Sequence, residues 1–349
     1  MEYITNYEAL QTTSPPAEMY VRENELTELR QSLEPITTGH HATGAVLYGP
    51  SGAGKTHATK YIISQLIASG AGPAGIATTH IDCWDHSSEH GILQRLLAGL
   101  GQGRRPSNTP TYTLLEDLRD ALDGPYLVVL DEADQIADGG VLKALHQIPA
   151  VTLFCIVNEY RPFLRALDMS VESRLEGYRD IEFDAYSEAQ LQAILEGRIS
   201  HGVADGVVPD AIVELLASVS KCDARRAIDN LRKSVHKAKT RGMDAVTPAV
   251  VRGVVPETEQ ELIAKTFSKL TRDQRILYEI LVENGGPMSI GEVYDGFRER
   301  SPDDNPASRK TAKRELKKMS YYHLVDYGGK NSARRYEAAT DELYPDGLA

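Results

Sequence analysis

Apolar residues run without a break at 45–48 and 126–130, and 151–157 is apolar apart from Thr152. Unbroken rather than alternating runs fit strands of a parallel sheet, which are buried on both faces. Two further stretches, 76–81 and 181–183, read as strands of the same sheet. Helical spacing fills the intervals. Leu26, Leu29 and Leu33 share one face over 23–33, and Tyr61, Ile62, Leu66 and Ile67 do so over 56–69. Between 76–81 and 126–130 lie two helical stretches, 92–100 and 112–122, joined by a loop at 101–110. One crossover helix would suffice there, so this interval carries extra material. Alternating strands and helices predict a parallel α/β sheet, with ligands bound at the carboxyl ends of its strands.

The period changes after residue 186. Helices are predicted at 187–198, at 209–219 with a proline at its start, at 223–239 and at 247–255, together forming a compact helical domain. Residues 256–268 read as a connecting helix behind Pro256. The last stretch repeats no earlier pattern. Helices at 272–282, 290–297 and 308–321 precede a hairpin, 324–327 and 335–337, turning through Gly328-Gly329. Three helices and a hairpin make a winged helix. In 308–321, Ala312, Leu316 and Met319 share the apolar face and the opposite face is basic. Residues 1–43, broken at Pro15-Pro16, read as a lead-in.

A chain of 349 residues, 41% hydrophobic, holds two or three domains. It has no run of about 18 apolar residues, and Met1-Glu2-Tyr3-Ile4 lacks a signal-peptide pattern. Cys83, Cys155 and Cys222 are isolated and odd in number, which fits free thiols in a reducing compartment and no metal cluster. Together these predict a cytoplasmic protein. The net charge of −12 is uneven: residues 308–335 hold nine Lys or Arg and two acids. Besides Lys318, these are the candidate DNA contacts Arg309, Lys310, Lys313, Arg314 and Lys317 on the helix, with Lys330, Arg334 and Arg335 in the hairpin. One basic surface on an acidic chain fits duplex DNA, with a helix in the major groove and the wing on the backbone. A solvated face or a protein-docking winged helix is the other reading.

The chemistry centres on Gly49-Pro50-Ser51-Gly52-Ala53-Gly54-Lys55-Thr56, set between strand 45–48 and helix 56–69. This is the phosphate-loop spacing. Its glycines let backbone amides wrap a polyphosphate at a helix N-terminus, Lys55 reaches the β and γ phosphates, and Thr56 ligates Mg²⁺. Asp131 and Glu132 end the strand 126–130. In such ATPases the first acid holds Mg²⁺ and the second polarises the attacking water. Asn158, ending the strand 151–157, is placed to orient water or touch the γ phosphate. Arg225 opens the helix at 223–239; it compensates γ-phosphate charge or is one of two solvated arginines. Arg174 reads as an arginine finger acting in trans, or as a surface ion pair.

These residues together resemble the archaeal ORC-type DNA replication initiators of the AAA+ superfamily, related to eukaryotic origin recognition subunits and the cell-division-cycle loader ATPase. The resemblance spans nearly the whole chain. Tyr20-Val21-Arg22-Glu23-Asn24-Glu25-Leu26, Leu33-Glu34-Pro35 and Gly39 are similar to the family's box before the phosphate loop. Residues 49–56, 130–134 and Asn158 match Walker A, Walker B and sensor 1, and Asp223-Ala224-Arg225 matches sensor 2. Tyr186 and Arg198 match positions the family uses at the nucleotide. Cys222 departs from the pattern, because the family usually has glycine there, and this puts the helix start at issue. The resemblance implies an AAA+ nucleotide-binding domain over 1–185, a helical lid over 186–256, and a linker helix with a winged helix over 257–349. It implies ATP, ADP and Mg²⁺ as cofactors and slow hydrolysis as a switch. The implied partners are origin duplex DNA and the replicative helicase, with no membrane, for a nucleoid-associated monomer or DNA-assembled oligomer. The alternatives are a nucleotide-gated regulator of transcription or copy number, and a signalling NTPase.

Overall fold

The computed structural model describes residues 3–12, 19–37, 40, 42–70, 76–136, 139–301, 306–322, 324–329 and 333–339. Pro15, Pro16, Gly39 and Lys330 lie outside them. The chain forms two compact units, Met1–Val246 and Thr247–Ala349.

The first unit opens with α1 (Glu23–Thr37), β1 (Ala45–Tyr48), α2 (Lys55–Ala68), β2 (Ala77–Asp82), α3 (Glu89–Gly99) and α4 (Thr111–Asp120). It continues with β3 (Tyr126–Asp131), α5 (Gly140–His146), β4 (Val151–Val157), α6 (Tyr160–Ala166), α7 (Met169–Leu175) and β5 (Arg179–Glu182). All five strands are parallel, in the order β2-β3-β4-β1-β5. Alternate side chains divide between two cores. Val46, Val128, Leu130, Cys155 and Val157 join residues of α3, α4, α5 and α7 on one face. Ala45, Leu47, Leu127, Val129, Phe154 and Ile156 join α1 and α2 on the other. Covered on both faces, β1, β3 and β4 are almost wholly apolar, whereas the edge strands β2 and β5 carry polar and exposed residues. Helices α5, α6 and α7 are not predicted by the sequence: each has seven residues, two turns, too few to display a period.

Helices α8 (Glu188–Gly202), α9 (Asp210–Val219) and α10 (Ala224–Thr240) follow. Ser187 starts α8 with a capping box closed by Gln190, and Asp223 caps α10. The N-terminal residues read as a lead-in belong structurally with these helices. Ile4 bridges Val203 as an antiparallel pair, Thr5 N–H donates to the Gly202 carbonyl at 3.0 Å, and the Tyr3 hydroxyl donates to the Met243 carbonyl at 2.8 Å.

The second unit holds α11 (Pro248–Ser268), α12 (Arg272–Asn284), β6 (Met288–Ser289), α13 (Ile290–Arg300), α14 (Arg309–Tyr321), β7 (Val325–Gly328) and β8 (Arg335–Ala338). The predicted break at Pro256 is absent: α11 runs through it. Proline removes one helical hydrogen bond and crowds the preceding turn. Val250, Val251 and Val254 before it, and Thr258 and Phe267 after it, are buried, and that burial outweighs the local cost. The hairpin β7–β8 is antiparallel as predicted, and the two-residue β6 adds a third strand in the order β6-β8-β7. Ala312, Leu316 and Met319 are the buried residues of α14. This is a winged helix. No helix among the described residues is long and apolar enough to cross a membrane.

Candidate nucleotide site and basic surface

The loop between β1 and α2 is shaped by residues without side chains. Gly52 and Gly54 have φ of +76° and +92°, a region open to glycine. A Cβ at Gly52 would run into the Asp223 carboxylate, and one at Gly54 into the Tyr186 hydroxyl. The loop therefore lies directly against the start of α10 and the segment leading into α8. A backbone bond closes the first of these contacts, Ala224 N–H donating to the Gly52 carbonyl at 3.3 Å, and Gly49 N–H donates to the Asn158 carbonyl at 3.3 Å, tying the loop to the end of β4. Gly49, Pro50, Ser51, Gly52, Ala53, Gly54, Lys55 and Thr56 thus form a turn into the N-terminus of α2, where amides gather to meet an anion.

Lys55 is 7% exposed. Its ammonium donates to the Gly49 and Pro50 carbonyls at 2.6 and 2.8 Å. Burial pushes its pKa down to about 8, against the opposing pull of Asp131, Asp134 and Glu132. A polyphosphate in the loop would restore the charge that burial disfavours. The Thr56 hydroxyl donates to Asp131 Oδ2 at 2.8 Å, so the two groups expected to share Mg²⁺ already touch. His80 Nε2 also lies 3.1 Å from Oδ2. Burial pushes the Asp131 carboxyl up, but His80, Thr56 and Lys55 together hold it below the ordinary carboxylate range. Among the described residues no group of three His, Cys, Asp or Glu could hold a metal ion. One carboxylate and one hydroxyl beside a phosphate loop suit Mg²⁺, which keeps waters and takes phosphate oxygens as further ligands.

Glu132 stands next to Asp131 with φ +53° and ψ +45°, the left-handed region. A non-glycine residue held there is costly and is found at functional sites. Its N–H donates to Asp131 Oδ1 at 3.1 Å. Asn158 follows β4, half-buried. Asp223 Oδ1 accepts from the Arg225 and Arg226 amides at 2.8 and 3.2 Å, fixing the first turn of α10. Arg225 itself is exposed, and its positive charge acts on both Lys55 and His57. Cys222 leaves the start of α10 intact by taking φ +62°, the conformation a glycine would adopt there. Lys221, beside it, is also left-handed at φ +51°.

Tyr186 is buried against Gly54. Burial raises its pKa, opposed by Arg22. Arg22 is a residue that the motifs did not single out as functional. It is 5% exposed, lies 4.1 Å above the Tyr186 ring, and donates to the Ala53 carbonyl at 3.0 Å and to the Asp184 carbonyl. It ties the phosphate loop to the segment entering the lid, and the sequence carried it only as one residue of the box before the phosphate loop, Tyr20–Leu26, with no role of its own. Arg198 is buried, but its guanidinium donates to the Ala9 and Gln11 carbonyls at 2.8 and 2.9 Å. It anchors the N-terminal segment to α8, and no described hydrogen bond joins it to the loop. Arg174, on α7, turns back onto the Ser170 carbonyl of its own helix.

In the second unit Arg309, Lys310, Lys313 and Arg314 are exposed on α14. Arg314 approaches Glu315 at 3.2 Å. Lys317 is half-buried, 5.4 Å from the centre of the Tyr321 ring. In the hairpin Arg334 lies 4.5 Å over Tyr327, and Arg335 pairs with Glu292 at 2.8 Å. The exposed cations are therefore concentrated in the first turns of α14.

Fold and site define a P-loop nucleotide-binding protein of the AAA+ type with a helical lid. A family described as "AAA domain" matches residues 38–165, and one described as "Cdc6 AAA+ ATPase-type lid domain" matches 192–254. The ORC1-type DNA replication protein 1 of Halobacterium salinarum is 35% identical over 302 residues, 86% of this chain and 97% of that protein, and the chain belongs to the ORC1-type DNA replication protein family. The ORC1-type DNA replication protein 9 of the same organism is 28% identical over 324 residues, 92% of this chain and 90% of that one. Among solved structures, the Aeropyrum pernix ORC1 protein in complex with DNA shares the fold at a TM-score of 0.75 and 23% identity, covering 97% of this chain and 94% of that one. Cdc6p from Pyrobaculum aerophilum does so at 0.67 and 19%, covering 98% and 96%.

Proposed function

We propose that this protein is an ATP-switched replication initiator that grips origin duplex DNA with its winged helix and helps recruit the replicative helicase. The observation that carries the reading is the seam between phosphate loop and lid. Asp223 packs on Gly52, Ala224 bonds to it, and Tyr186 covers Gly54. A change in what the loop holds is thereby felt at once by α10 and by the start of α8. The family of the chain, and the complex that its Aeropyrum pernix structural relative forms with DNA, support duplex DNA as the partner.

In this reading Lys55 exchanges its carbonyl partners for β- and γ-phosphate oxygens. Thr56 and Asp131 would hold Mg²⁺, which when bound would supply positive charge to those oxygens. Glu132 takes the proton of the attacking water, Asn158 orients that water, and Arg225 offsets γ-phosphate charge from the lid. Arg174 serves a neighbouring copy in an oligomer assembled on DNA. Hydrolysis is slow and resets the switch. On α14, Arg309, Lys310, Lys313 and Arg314 meet phosphates, with Lys317, Lys330, Arg334 and Arg335 at the edges. A protein of this kind works on the nucleoid in the cytoplasm.

Two variants test the site. Lys55→Ala should weaken ATP binding about 100-fold, as expected for loss of charge-assisted bonds to phosphate. Glu132→Gln should keep ATP bound while lowering turnover at least about 100-fold. Equilibrium binding and single-turnover hydrolysis read the two effects. Undiminished binding in Lys55→Ala would remove the site assignment.

A further inference from the structure

His57 is a residue that the phosphate-loop pattern does not require. It follows Thr56 in the first turn of α2. Its ring faces the Thr12 backbone in the N-terminal segment, and Arg198 on α8, Lys60 on α2 and Arg225 on α10 all act on it electrostatically. Arg198 in turn fixes the Ala9 and Gln11 carbonyls. His57 therefore lies where the phosphate loop, the N-terminal segment and the lid converge. Its Nε2 is buried and has no hydrogen-bond partner among the described residues.

Buried polar atoms are rarely left unpaired unless something else completes them. With Nε2 unpaired, Nδ1 is the nitrogen that serves the Thr12 backbone. When Nδ1–H donates there, the neutral ring presents Nε2 as a bare acceptor. Thr56, bonded to Asp131, marks the end of the site where metal and γ-phosphate belong. The next residue of a helix points about 100° away, toward the segment and lid, where the other half of a nucleotide must go.

We propose that His57 reads the nucleoside half of the nucleotide, Nε2 accepting a hydrogen bond from an N–H or O–H of the base or sugar. The inference rests on the nucleotide-binding reading of the site. Adenosine offers such donors in its exocyclic amine and in its 2′- and 3′-hydroxyls. Inosine carries an oxygen in place of the amine, 2′-deoxyadenosine lacks the 2′-hydroxyl and 3′-deoxyadenosine the 3′-hydroxyl. Each swap removes one donor and leaves the acceptor unpaired, which is the stronger form of discrimination.

The test uses the full chain at pH 8, where imidazole is neutral, with ATP, inosine triphosphate, 2′-deoxyATP and 3′-deoxyATP as probes. Wild type should bind one analogue about fivefold more weakly than ATP, the worth of one hydrogen bond. His57→Ala should bind ATP about fivefold more weakly and no longer distinguish that analogue from ATP. Loss on inosine triphosphate assigns the amine, and loss on 2′-deoxyATP or 3′-deoxyATP assigns the hydroxyl that analogue lacks. His57→Gln, with an acceptor oxygen, should restore part of the affinity, and thermal melting without nucleotide separates folding from binding. ATP affinity unchanged in His57→Ala, or analogue penalties undiminished in it, would overturn the proposal. Lys55→Ala is the control: if wild type and Lys55→Ala bind ATP alike, the site reading itself falls and takes this inference with it.

Discussion

The two basic regions of this molecule use positive charge in opposite ways. At the phosphate loop, Lys55 is buried and its pKa is pushed down to about 8. Its partners are fixed carbonyls at 2.6 and 2.8 Å. On α14, Arg309, Lys310, Lys313 and Arg314 stand in solvent. A buried cation beside preformed partners recognises a compact, highly charged ligand through geometry and the low dielectric around it. Exposed cations on a helix attract a long polyanion through counterion release and tolerate positional slack. The first arrangement costs folding stability and changes little with salt. The second costs little and depends steeply on salt.

Acid sharpens this contrast most. Burial lowers the His57 pKa to about 4, with Arg198, Lys60 and Arg225 adding to the effect. The unfolded chain takes up this proton near pH 6.5, and the folded chain resists it until about pH 4. Between those values the unfolded state binds more protons, so stability is fully present above pH 6.5 and is lost as pH falls toward 4. The loss reaches about 3 kcal/mol. Urea titration of nucleotide-free protein at pH 7 and pH 4.5 should show it, and His57→Gln should flatten it.

Charge reversal at Lys313, Arg314 and Lys317 should act only on the other side of the comparison. Duplex DNA affinity should fall about tenfold or more near 0.1 M salt, and the salt slope should shrink by about three. ATP affinity should not change. A parallel loss of ATP binding would mean that the variant disturbs more than a surface.

The smallest effect concerns Cys222. In the left-handed region a Cβ costs about 1 kcal/mol, so Cys222→Gly should raise stability by about 0.5 kcal/mol after the extra freedom that glycine gives the unfolded chain. The midpoint of denaturant unfolding reads this.

What the sequence discloses follows the same division. Gly52, Gly54, Lys55 and Thr56 are legible because the chemistry and the backbone demand fall within one short stretch. Asp131 is legible because it ends an apolar strand. Arg22 is not, since its burial against Ala53, Asp184 and Tyr186 joins positions up to 164 residues apart, from 22 to 186. The pairing of Ile4 with Val203 is hidden for the same reason. Arg198 is singled out only by the resemblance, as a position at the nucleotide, and its partners Ala9 and Gln11 lie in a segment with no period to announce them. Pro256 misleads because a local rule is overridden by burial on both sides of it. On α14 the basic face is plain from spacing alone, whereas the pairing of Arg335 with Glu292 depends on how β8 lies beside α13.

The central claim is that nucleotide held by the first unit governs DNA held by the second. The direct measurement is the affinity of the full chain for duplex DNA across a salt series, with ATP and with ADP, for wild type and Lys55→Ala. A steep salt slope, with an affinity that differs between ATP and ADP in wild type and not in Lys55→Ala, is the predicted result. Affinity indifferent to nucleotide in wild type would contradict the account, leaving a DNA-binding unit joined to a nucleotide site that does not control it.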